Sequence, residues 1–189
     1  MITLLENRIL GIDPGTKHVG YGIIDTCGHQ FSYVSSGTIS VSDEEVAIRL
    51  VKIHQNLQSI ISEYQPSVAS IESVFIRENP QTAIRIGEAR GVAMLSAAEL
   101  GLSVIGYEPA VVKRCVTGSG RADKNQIQCM VKKLLGISDD LETDHESDAL
   151  ALAITHARHS LHFSALSKAC VKLSRRSTGN RPRRSYRKR

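Results

Sequence analysis

Tryptophan is absent from the 189 residues, and three Phe and five Tyr bring the aromatic share to only 4%. So few rings exclude an extended platform on which successive bases stack. No apolar run approaches the ~20 residues that cross a bilayer. The first residues, MITLLENRIL, lack a basic segment followed by a long apolar stretch and a cleavage site. The expectation is a soluble cytoplasmic protein with no membrane contact. The four cysteines, Cys27, Cys115, Cys129 and Cys170, form no C-x-x-C pair and no zinc-knuckle spacing. They read as reduced, mostly buried thiols. There is no internal repeat, and no low-complexity stretch precedes the C-terminal tail.

What is present is an ordinary globular composition, 41% hydrophobic and 23% charged, long enough to bury one core. The net charge of +5 conceals a division. Residues 1–167 hold 14 Lys+Arg against 19 Asp+Glu, whereas residues 168–189 hold 10 against none. An acidic body carrying a basic tail points to two tasks rather than one uniformly basic surface. The expected organisation is a domain over residues 1–165 and a basic, disordered tail over 166–189.

Along the body, RILGID (8–13) reads as a strand broken by Pro14-Gly15. VGYGIID (19–25) and residues 31–41 continue it as an antiparallel meander. From Val46 the apolar residues Leu50, Ile53, Leu57, Ile60 and Ile61 recur at helical steps, with Ser42 or Asp43 available as a cap and Pro66 beyond the end. A strand over 68–72, a helix over about 80–100 and a strand over 102–107 follow. Helices near 109–116, 123–135 and 144–162 complete the chain. This order predicts an α/β fold with a mixed five-stranded sheet flanked by helices.

Two strands end in carboxylates: Asp13 in GIDPGT and Glu72 in IESVF. If those strands lie parallel and adjacent, both groups reach one edge of the sheet, where open α/β sheets bind ligands. In TDHESDALALAI, His145 and Asp148 are three apart, about 60° around a helix axis, and share a face. The apolar run after Asp148 would bury that helix on the sheet and bring both to the same crevice. Carboxylates gathered there repel one another unless a cation compensates, and carboxylates select hard ions such as Mg²⁺. Two such ions activate a water and stabilise a leaving oxygen in phosphodiester cleavage. Taken singly, Asp13 before Pro-Gly is also a turn residue, and the acidic stretch Asp139 to Asp148 is also a solvated helix start.

The segments ILGIDPGTKHVGYG, IESVF, AIRIGEARGVA and DALALAITH together resemble the RuvC family of bacterial Holliday junction resolvases, over about residues 8–160. The resemblance implies an RNase H-like fold, a homodimer, and crossover junction endodeoxyribonuclease activity in recombination and DNA repair. It further implies Mg²⁺-dependent paired symmetric nicks across a four-way DNA junction, with two ions per site and Mn²⁺ as a substitute, and the RuvA–RuvB branch-migration complex as a partner. By position, Asp13, Glu72 and Asp148 match the family's metal-binding catalytic carboxylates. His145 falls where members carry Asp or His. It is open to two roles, metal ligand or proton-transfer group.

The resemblance also places Lys113 and Lys124 at phosphate-binding positions and Phe75 at a position that stacks on a base. Arg77, Arg85 and Arg90 are further DNA-binding candidates, although Arg90 also has Glu88 and Asp123 as prospective partners. His156, His159 and His162 run at three-residue steps but drift too far around the helix for a zinc site, and read as surface or interface residues. Ile84, Ile86, Val92 and Leu95 suit either the core or a dimer contact. Two rival classes remain. GIDPGT resembles the first phosphate loop of actin-type ATP-binding proteins, but no second loop or adenosine segment follows. A non-catalytic nucleic-acid-binding module would explain the tail but leave the carboxylates without a purpose. The tail itself lies outside the resemblance and suits non-specific contact with DNA phosphates. Deleting residues 175–189 is expected to weaken junction binding and flatten its salt dependence.

Overall fold

The computed structural model describes residues 6–41, 45–73, 80–139 and 141–177, with the side chains of residues 6 and 80 and of those from 162 onward excepted. Three antiparallel strands, β1 (Glu6–Pro14), β2 (His18–Cys27) and β3 (Gln30–Ser40), open the chain. They are followed by α1 (Val46–Tyr64), β4 (Val68–Glu72), α2 (Pro80–Glu99) and β5 (Ser103–Tyr107). Then come α3 (Pro109–Thr117), α4 (Lys124–Leu135) and α5 (Asp144–Ser177). The sheet order is β3-β2-β1-β4-β5, with β1–β2 and β2–β3 antiparallel and β1–β4 and β4–β5 parallel. This is the mixed five-stranded RNase H-like architecture.

Strand alternation sends successive side chains to opposite faces, and the two faces have separate cores. Leu10, Ile12, Ala69 and Ile71 pack with Ile53, Leu57 and Ile61 of α1 and with Ala89, Ala93 and Ala97 of α2. Ile9, Ile24 and Tyr107 pack on the other face with α3, α4 and the Leu150–Ala157 stretch of α5. That second face has a floor of glycine. Gly11 and Gly22 are register partners, as are Asp13 and Gly20. A Cβ on Gly11 would overlap the Ala149 carbonyl, one on Gly20 the His145 carbonyl, and one on Gly22 would stand 2.7 Å from the Leu150 backbone nitrogen. Bare glycines therefore let the backbone of α5 lie against the strands, with its N-terminal turn above the end of β1.

Local chemistry fixes the helix starts. Asp123 and Gln126 form a reciprocal capping box at α4, with N–H to side-chain oxygen distances of 2.9 and 3.1 Å. At α5 the Thr143 hydroxyl accepts from the Glu146 N–H at 3.3 Å. Glu146 is itself 4% exposed and accepts from Ser36 Oγ at 2.8 Å, which ties the start of α5 to β3.

Three sequence readings need correction. The residue capping α1 is Glu45, which makes no side-chain cap bond; Ser42 and Asp43 lie outside the described residues. Helix α5 does not end near 162 but continues to Ser177, so the first part of the basic segment is helical backbone. Of the cysteines, Cys27 and Cys115 are half-buried and Cys129 is exposed, all three as free thiols. Among the described residues no helix is long and apolar enough to cross a membrane.

Candidate active site

The last register pair between β1 and β4 is Ile12 with Ile71. Asp13 and Glu72 each stand one residue further on, where the parallel strands run out. Asp13 alternates with Ile9 and Gly11, and Glu72 with Val68 and Ser70, which places both on the α5 side of the sheet. The glycine floor brings α5 down at that point. Asp13, Glu72 and Asp148 accordingly line one cavity of about 190 Å³, with Lys113 of α3, Lys124 of α4 and an apolar wall of Val112, Ile127 and Leu152. A larger cavity of about 550 Å³, lined by residues such as His29, Phe31 and Arg158, lies at the β2–β3 turn, the opposite end of the sheet.

His145 joins the group through its ring. Its Nδ1 lies 2.7 Å from Asp13 Oδ2, and the His18 ring sits beside it with centroids 5.7 Å apart. The hydrogen bond to Asp13 raises the His145 pKa above its usual value, against the opposing effect of burial. Burial, and then the charges of Asp13 and Asp148, push Glu72 up to about 7, with Lys113 pulling the other way. Asp148 is pushed up to about 6 by burial and by Asp13, tempered by Lys124 and His145. A nearby cation would lower both values by favouring the ionised carboxylates.

The donor set suits hard divalent ions: three carboxylates and one imidazole, two of the carboxyls raised first by burial and then by their acidic neighbours. Among the described residues no three such donors converge on one point, and Asp13 Oδ2 faces the His145 ring.

The remaining residues divide clearly. Lys124 Nζ stands 3.4 Å from Asp144 Oδ2 at the rim of the cavity. Arg90 pairs with neither Glu88 nor Asp123; its Nε donates to the Glu72 carbonyl at 3.0 Å, and Asp123 caps α4. Arg85 is exposed on α2. Phe75 and Arg77 lie outside the described residues, as does the side chain of His162. His156 is not a surface residue but half-buried, its Nδ1 2.9 Å from the Tyr107 hydroxyl, and His159 meets the same ring edge-on. Sequence reasoning missed His18 and Glu146. The second was legible, since Thr143 and Glu146 stand at capping-box spacing; no pattern singled out His18.

A family model described as "Crossover junction endodeoxyribonuclease RuvC" matches residues 9–156, which include Asp13, Glu72, His145 and Asp148. The chain belongs to the RuvC family. A crossover junction endodeoxyribonuclease RuvC of Actinobacillus succinogenes is 44% identical over 163 residues, 85% of each chain. That of Caldicellulosiruptor saccharolyticus is 48% identical over 151 residues, 79% of this chain and 91% of the relative. Among solved structures, T. thermophilus RuvC in complex with a Holliday junction substrate superposes with a TM-score of 0.78 at 28% identity, covering 82% of this chain and 96% of that one. The yeast mitochondrial Holliday junction resolvase Ydc2, at 14% identity and a TM-score of 0.67, shares the fold.

Proposed function

We propose that this RuvC-family chain is a structure-selective endonuclease that resolves four-way DNA junctions by paired symmetric nicks, through metal-dependent phosphodiester hydrolysis in recombination and repair. The observation that carries the reading is the convergence of Asp13, Glu72 and Asp148 on one cavity that Lys113 and Lys124 also line. An acidic site alone repels the phosphodiester it must cut. A lysine on each flanking helix offers charge to the phosphates beside the scissile bond.

Asp13, Glu72, Asp148 and His145 are the residues that would hold the metal, Mg²⁺ with two ions per site and Mn²⁺ as a substitute. When bound, the ions activate water and stabilise the leaving oxygen. The protein's own part is positional. Two strand ends fix Asp13 and Glu72, and the helix pressed on the glycine floor fixes His145 and Asp148. The apolar wall of Val112, Ile127 and Leu152 limits the water around them and strengthens each charge interaction. Phe75 is assigned to DNA contact by the family position it matches, and Arg77 as a further cationic candidate read from the sequence.

One protomer holds one such site, so paired nicks call for two copies. The exposed face of α2 supports a homodimer: Ile84 is 62% and Leu95 53% exposed. Between them Gly87 and Gly91 have nothing within 4 Å of where a Cβ would stand, which leaves room for a second helix to approach closely. Residues 1–165 form the nuclease domain in this reading, and 166–189 a basic extension that contacts DNA phosphates. A cytoplasmic setting and the RuvA–RuvB complex as partner follow from the family.

Incubating the protein with labelled four-way junction, linear duplex, RNA–DNA hybrid and ATP, each with and without Mg²⁺, separates the readings. Junction-selective paired nicking that requires the ion is expected. ATP turnover, or cleavage of hybrid alone, would defeat the proposal.

A further inference from the structure

Resting on the nuclease reading above, we propose that Arg90 is a positioning residue that holds the Glu72 strand end in register from the face of the sheet opposite the chemistry. Glu72 closes β4, paired with Tyr107 of β5 but one residue beyond the last pairing with β1. A carboxylate at a diverging strand end needs its backbone fixed by something other than the ladder. Two bonds do this: the Ser73 N–H donates to the Tyr107 carbonyl at 2.8 Å, and Arg90 Nε donates to the Glu72 carbonyl at 3.0 Å.

The geometry separates Arg90 from the substrate. Helix α2 is packed by Ala89, Ala93 and Ala97 onto the Leu10, Ile12 and Ile71 face. The Glu72 side chain instead lines the cavity under α3, α4 and α5. The guanidinium thus reaches the backbone from behind the carboxylate. Space for it comes from Gly106, where a Cβ would stand 2.9 Å from Ser73 Oγ and 3.5 Å from Arg90 Nη2. The cation that tempers the Glu72 charge is Lys113. Arg90 therefore acts on where the carboxylate sits. It also joins the strand end to α2, whose far side carries exposed Ile84 and Leu95.

The test uses full-length Arg90→Ala, Arg90→Gln and Arg90→Lys with Mg²⁺ and four-way junction. It reads single-turnover cleavage at saturating protein, junction affinity in EDTA, and melting temperature. Misplacement by about 1 Å slows a reaction roughly 100-fold, so Ala and Gln are expected to cut 10- to 100-fold more slowly with affinity unchanged. Lys, which retains a donor for the carbonyl, should recover part of the rate. Should the Ala variant fail to fold, Gln and Lys carry the comparison. Cleavage by Gln within twofold of wild type overturns the proposal, as does affinity that falls in step with rate, which would make Arg90 a DNA contact. Wild-type protein that binds the junction without cutting it would instead defeat the nuclease reading itself.

Discussion

Along β1, Leu10 and Ile12 turn toward α1 and α2, whereas Ile9, Gly11 and Asp13 turn toward α5. The first set fills space with branched side chains against branched side chains, so its stability follows from apolar area removed from water. The second set gives up side-chain volume at Gly11, Gly20 and Gly22 so that a helix backbone can occupy it. One face is thus packed for stability and the other for position. A functional group placed by backbone contact has less freedom to move than one placed at the end of a flexible side chain.

The largest effect that separates the faces should come from Asp13→Asn. Nearly isosteric, it removes a charge that two neighbouring carboxyls and His145 all respond to. Cleavage should fall by roughly three orders of magnitude or more, while the melting temperature of the metal-free protein stays level or rises as repulsion is relieved. A variant that retains a tenth of the rate would remove Asp13 from the reaction.

Next come substitutions matched in cost and opposite in character. Leu10→Ala opens a cavity worth about 3 kcal/mol on the α1 and α2 face. Gly11→Ala forces a methyl group into the Ala149 carbonyl, and overpacking of that kind costs about 3 kcal/mol. Denaturant melts should show similar losses. At a temperature where both remain folded, Leu10→Ala should cut at nearly the wild-type rate, whereas Gly11→Ala should lose activity, because lifting α5 moves His145 and Asp148 from Asp13. Equal activities would mean that the two faces are not distinct in this way.

Much of this contrast was legible before any coordinates. Alternation through RILGID and VASIE predicted both strands and placed their terminal carboxylates at one edge, since strand period and parallel pairing leave little choice. The three-residue spacing of His145 and Asp148 placed them on one helix face for the same reason. Other features depended on distances no pattern encodes. The pairing of Arg90 with a backbone carbonyl rather than with Glu88 or Asp123 followed from the packing of α2 on the sheet. The half-burial of His156 against Tyr107 depended on where α5 passes the end of β5. The glycines were visible as letters, but their role required knowing which helix lies above them.

Smaller effects come from pH. Glu72 and Asp148 have folded-state pKa values raised to about 7 and about 6, above the ordinary 4.5 and 3.8. Between about pH 4 and 7 the folded protein therefore holds more protons than the unfolded chain, and stability falls as pH rises through that window. The His145–Asp13 pair acts in the same direction, since a raised imidazole pKa gives stability below pH 6.5 that is lost as pH climbs through the folded value. Melting curves in EDTA should show a lower melting temperature at pH 8 than at pH 5.5. Mg²⁺ should restore more stability at pH 8, where it meets ionised carboxylates, and Glu72→Gln should flatten the trend. A metal-free protein that is more stable at pH 8 would contradict the burial of these acids.

The smallest effect concerns His145, the one nitrogen donor among the carboxylates. With histidine there the site carries three formal negative charges in place of the four that Asp would give, and imidazole is a softer ligand than carboxylate. If His145 is a metal ligand, His145→Asp should shift the ratio of Mn²⁺-supported to Mg²⁺-supported cleavage several-fold toward Mg²⁺. If its work is proton transfer, the ratio stays fixed and the acid limb of the pH–rate profile moves instead, because the imidazole bonded to Asp13 has been removed. The location of His145 above bare Gly20 gives the substitution room to report on chemistry: the shorter Asp side chain adds no volume to the glycine floor, so α5 keeps its seat. A change in melting temperature as large as that of Gly11→Ala would show that the histidine supports packing, and would erase the distinction between the two faces at the point where it matters most.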